Sequence, residues 1–112
     1  MKIVNRKEFL LLPPETVFSY YEPCIFSGLY VKVCQPGQYK NDFLTDNLIG
    51  EIYCDGSHEM IDLLEESRET GKSLKLDFDC TDRDGMFNDE QLFAIYEKED
   101  VSSLIVRLMK CL

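Results

Sequence analysis

The chain has 112 residues, 45% of them hydrophobic, with 21 Asp and Glu against 12 Lys and Arg and a net charge of −9. That length supports one domain with a single core, and the apolar fraction argues against disorder. The acidity excludes a surface that grips nucleic acid through its phosphates.

The longest apolar run, Phe9–Leu12, is far too short to span a membrane. The first residues, Met1 to Lys7, turn polar too soon for a signal peptide. Cys24, Cys34, Cys54, Cys80 and Cys111 form no C-x-x-C pair, and His58 is the one histidine. A tetrahedral zinc site needs two close ligand pairs, so no metal and no cofactor is expected. Together these features predict a cytoplasmic protein with reduced thiols.

In chain order, Lys2–Val4 reads as a short strand. Asn5 then caps a helix through Leu11, with Glu8 three residues on. Phe9, Leu10 and Leu12 are its core-facing residues, and Pro13-Pro14 ends it. The β-branched and aromatic run Thr16–Tyr21 predicts a strand closed by Pro23.

Cys24–Phe26 and Leu29–Cys34 read as a hairpin turning at Ser27-Gly28. Leu29, Val31 and Val33 alternate in the second arm with Tyr30, Lys32 and Cys34, so one of these faces is buried. Gln35-Pro36-Gly37-Gln38 is a turn, and Phe43-Leu44 and Leu48–Cys54 are further strand candidates. Ser57 caps a helix whose Met60, Ile61 and Leu64 make one stripe and which Gly71 ends.

Ser73–Cys80 alternates cleanly, predicting a strand with Leu74, Leu76 and Phe78 inward and Asp77 and Asp79 outward. Leu92–Tyr96 is another strand. A final helix runs from about Asp100 to the end, with Val101, Leu104, Ile105, Leu108 and Leu112 at helical spacing. Val106 and Met109 widen its apolar arc, so it is either wedged between layers or forms an interface, such as that of a homodimer. The sum is an α+β fold: residues 1–112 as a single domain, with a mostly antiparallel twisted sheet of about five to seven short strands and two or three helices packed on it.

The charge is unevenly placed. Residues 1–41 hold five basic and three acidic side chains, whereas 42–112 hold seven and eighteen. Asp77, Asp79, Asp82, Asp84, Asp89 and Glu90 make the densest stretch, relieved by Arg83 alone. Such a surface attracts basic surfaces, including those built to hold nucleic acid.

The loop Cys80–Gln91 partly matches a calcium-binding loop. Asp82, Asp84, Gly85 and Asn88 fall in place, but Cys80 and Gln91 stand where the first carboxylate and the bidentate Glu belong. Asp77 and Asp79 on one strand face could hold Mg²⁺, yet no phosphate loop or nearby His accompanies them. No neighbouring nucleophile, base and electrostatic stabiliser can be assembled, so no enzyme is expected.

Two segments carry a resemblance. The first is Asn5-Arg6-Lys7-Glu8-Phe9-Leu10 through Leu12-Pro13, with Thr16–Ser19 and Tyr21-Glu22-Pro23-Cys24. The second is Leu76–Cys80 with Arg83-Asp84-Gly85, Gln91–Ala94 and Glu97–Val101. Together they resemble a group of short phage and prophage proteins of unassigned role. The resemblance transfers no catalytic residue and implies a phage setting, in the host cytoplasm. There, small acidic proteins block host proteins, and some anti-CRISPR proteins do so by imitating DNA.

Two readings of function follow. In the first, the chain is a non-enzymatic inhibitor of a host defence complex. Asp77, Asp79, Asp82, Asp84, Asp89 and Glu90 supply charge toward a basic protein surface, and Phe87 is an apolar anchor. Reversal of the Asp82/Asp84 pair should then weaken binding. In the second, Tyr20, Tyr21, Tyr30 and Lys32 bind a small ligand such as a nucleotide signal.

Overall fold

The computed structural model describes residues 1–112. Eleven elements follow one another: β1 (Lys2–Asn5), α1 (Arg6–Leu10), β2 (Thr16–Glu22), β3 (Ile25–Lys32), β4 (Leu44–Asn47), β5 (Glu51–Ile52), α2 (Ser57–Thr70), β6 (Leu76–Asp77), β7 (Thr81–Arg83), β8 (Leu92–Ile95) and α3 (Lys98–Met109). Six strands form one antiparallel sheet in the order β1-β8-β2-β3-β4-β7, and β5 and β6 pair separately. The fold class is therefore α+β, as the strand and helix signals predict.

The core forms where α1 lies against the sheet. A five-residue helix is too short to stand alone. Here Asn5 accepts the Glu8 N–H at 2.9 Å, and Phe9 anchors the helix from its inner side. The Phe9 ring stacks on Phe93 at 4.0 Å and meets Phe18 and Phe43 edge-on at 4.7 and 4.8 Å. All four rings are closed to solvent, and burying aromatic rings in this way is the largest apolar contribution in the chain.

The hairpin turns elsewhere than the sequence suggests. It turns at Pro23-Cys24, where Cys24 takes φ 67°, and β3 runs straight through Ser27-Gly28. Gly28 instead marks a bulge opposite Ser19. Its φ is +71°, and a Cβ there would clash with the Tyr30 ring. The Ser19 hydroxyl donates to the Gly28 carbonyl at 2.6 Å and holds the bulge.

In β3 the buried face is the polar-looking one. Lys32 is 1% exposed and Cys34 just beyond it is buried, while Leu29, Val31 and Val33 are half-covered. The Lys32 stem lies under α1, and its ammonium donates to the carbonyls of Leu12 at 2.6 Å and Cys34 at 3.4 Å. Its Nζ also sits 5.9 Å from the Phe9 ring centroid, and no carboxylate pairs with it.

The second half departs most from expectation. Of Ser73–Cys80 only Leu76–Asp77 is strand, and Leu76 and Phe78 are 44% and 48% exposed rather than inward. The acidic Thr81–Arg83 forms β7 on the sheet edge, where β4 supplies the partner bonds. Helix α2 begins after Gly56, with Ser57 already inside it, and ends at Gly71 in the left-handed region (φ 75°). Neither α2 nor α3 has a buried residue. The wedge arrangement for the last helix is thus excluded: Val106 and Met109 are 55% and 64% exposed.

Candidate functional site

The acidic segment 81–91 is fixed by two polar anchors that reach it from distant parts of the chain. Arg6, on α1, is almost wholly buried and points its guanidinium at Asp84 Oδ2, 3.4 Å away, and at Asn41 Oδ1, 3.1 Å away. The other Asp84 oxygen accepts the Tyr20 hydroxyl at 2.8 Å. Burial, and then this bond, push the Tyr20 phenol far above its ordinary range, so it stays a donor.

Asp42 makes the second anchor. Its Oδ1 accepts the backbone N–H groups of Phe43 and Gly85 at 2.9 and 3.0 Å. Its Oδ2 takes the Arg83 guanidinium at 2.7–2.8 Å. Burial alone would raise this carboxyl, but those two N–H groups and Arg83 hold it below the usual carboxylate range.

Inside the loop, side chains replace the missing ladder. Asp84 accepts the Met86 N–H at 3.3 Å and Asn88 accepts the Glu90 N–H at 3.0 Å. Phe87 stands at the tip with φ 52°, a left-handed conformation costly for a side chain with a Cβ. Its ring is 50% exposed, beside Met86 at 76%.

Most of the predicted charges do reach this surface. Asp79, Asp82, Asp89 and Glu90 are exposed and Asp77 is half-covered, and none forms an ion pair. Asp89 is tied to Asn41 at 3.3 Å. Asp84 is the exception. With 5% of its side chain exposed and Arg6 beside it, it organises the loop and presents no charge. Arg83, the one cation of the segment, is committed to Asp42.

Asp77 and Asp79 do not share a strand face. Asp77 accepts the Asp79 N–H at 2.9 Å, then the Cys80 thiol at 3.3 Å, and these bonds keep it ionised. The same bond pushes the Cys80 thiol up to about 11, which keeps Cys80 from serving as a thiolate. His58 is an exposed residue of the first turn of α2.

Beside β7 opens a cleft of about 440 Å³ whose lining includes Tyr20, Tyr30, Glu51, Asp82, Arg83 and Asn88. Burial, and then a hydrogen bond shared with Asp82, raise Glu51 above the usual carboxylate range. Two of the tyrosines expected at a ligand site thus meet here, with ring centroids 5.2 Å apart. Tyr21 lies on the other face against Phe26, and Lys32 is buried away from any ligand. Sequence reasoning missed Asp42, Arg6 and Glu51. Their roles depend on pairings 31 to 78 residues distant, which no local pattern encodes.

Comparison with protein families, with curated proteins and with solved structures gave no match. No helix is long and apolar enough to cross a membrane.

Proposed function

We propose that the protein is a non-enzymatic binding module whose acidic face docks on a basic surface of a host protein that handles nucleic acid. The observation that carries this reading is the uncompensated charge of Asp77, Asp79, Asp82, Asp89 and Glu90 in the same chain segment as the exposed Phe87, with Arg83 neutralised by Asp42. Fixed charges of one sign speed association with a basic partner, and an aromatic anchor lengthens the life of the complex. The anchored loop adds preorganisation, which lowers the ordering cost of binding. The resemblance to short phage proteins supports a host defence complex as the partner, with the module as its inhibitor.

The reversal test must spare Asp84, because its loss would unseat Arg6. Asp79→Lys with Asp82→Lys is the informative variant. Capture of the partner from host lysate should fall at least tenfold, with the fold intact. Undiminished capture would refute acidic docking.

The small-ligand reading has less support. Its cleft holds two tyrosines, but Arg83 is the one cation in its lining, already paired, so a nucleotide phosphate would find no free positive charge there.

A further inference from the structure

The chain is too open for a monomer of its size. It exposes 7999 Å², whereas a compact 13.1 kDa monomer exposes about 6,400 Å², an excess of about 1,600 Å². Its radius of gyration is 16.0 Å, against about 13 Å for a compact domain of this length. A stable interface covers roughly 800 Å² on each partner. The surplus therefore meets what a dimer needs.

Helix α3 carries the most apolar part of that surplus. Ile105, Leu108 and Met109 are 53%, 57% and 64% exposed and follow the i, i+3, i+4 spacing of one helix face, and the exposed Leu112 follows just beyond the end of the helix. A twelve-residue helix with no buried residue is marginal in water unless something covers this face.

The charges say what covers it. Residues 101–112 contain no Asp or Glu and two cations, Arg107 and Lys110, in a chain of net charge −9. Two such chains approach with least repulsion here. Helix α2 also exposes an apolar stripe, but Glu59, Asp62, Glu65, Glu66 and Glu69 would oppose its pairing with a copy of itself. The start of α3 holds Glu97, Glu99 and Asp100, and its end holds the two cations. Antiparallel pairing with a second α3 through its C-terminal half keeps the two acidic ends apart and opposes the two helix dipoles. Parallel pairing sets like against like.

We infer that the protein is a two-fold homodimer, with α3 of each copy packed antiparallel on the other through Ile105, Leu108, Met109 and Leu112. Such an interface is self-complementary and closes at two copies. It leaves the acidic loop free and does not depend on that loop's function.

Sedimentation of the full chain tests this. The expected mass is twice 13.1 kDa at micromolar concentration. Ile105→Asp with Leu108→Asp should halve it, while protected amides in β2 and β8 report that the core is kept. Antiparallel packing centred between Leu108 and Met109 sets the two Cys111 residues about 7.5 Å apart along the axis, with the helix axes roughly a further 8–10 Å apart, too far for a disulfide. Mild oxidation of the wild type should therefore give no Cys111-linked dimer. A wild-type monomer, a dimer in the double variant, or rapid Cys111 cross-linking would each overturn the inference.

Discussion

Arg6 and Asp84 meet at 3.4 Å inside the protein, 78 residues apart in sequence and both nearly closed to solvent. This contact ties the helix that builds the core to the loop that presents the acidic face. Core packing and the candidate site are thereby coupled through one ion pair.

Removing one member of a buried pair leaves the other charge without a partner. Arg6→Ala should cost roughly 3–5 kcal/mol of stability. Urea unfolding checks this. The loop amides of Met86 and Glu90 should also lose protection, and a cost below about 1 kcal/mol would mean that the pair is not structural.

Lys32 should shape the alkaline side of the stability curve. Burial lowers its pKa, partly offset by Cys34, so the unfolded chain binds more protons than the folded one between that lowered value and about 10.4. Stability should therefore gain from this group as pH rises through that window. Lys32→Met should lose the gain, read as the difference in Tm between the two proteins across a pH series.

Glu51 acts with the opposite sign. Its raised pKa means that the folded state holds the proton longer, so the group costs stability as pH rises above about 4.3. Glu51→Gln should raise Tm at neutral pH and leave it unchanged near pH 3. An equal shift at both pH values would place the cause in packing rather than charge.

How much of this was legible in the sequence depends on range. The Asn5 cap, the proline stop, β8 and the Gly71 terminator are local signals, and each stands where the pattern puts it. Alternation in β3 was equally clear but could not say which face is buried. The long Lys32 stem fills the space under α1 and finds two carbonyls for its ammonium. Thr81–Arg83 reads as loop because Asp disfavours strands, yet β4 recruits it to the sheet. The alternation of Ser73–Cys80 was a false lead, since Leu76 and Phe78 have no core to enter.

Phe87 separates binding from stability. At φ 52° glycine is the easier residue, so Phe87→Gly should leave stability unchanged or raise it by up to about 1 kcal/mol. Partner binding should nevertheless weaken, because the exposed ring is lost. A fall in stability with full binding would show that the ring packs inward instead.

The most direct test of the acidic-face account is retention of the partner from host lysate at low and at high salt, beside the Asp79→Lys, Asp82→Lys variant. The account predicts a stoichiometric nucleic-acid-handling protein, held at low salt, released at high salt or by added duplex DNA, and missed by the variant. A partner held equally at both salts and by both proteins would contradict it.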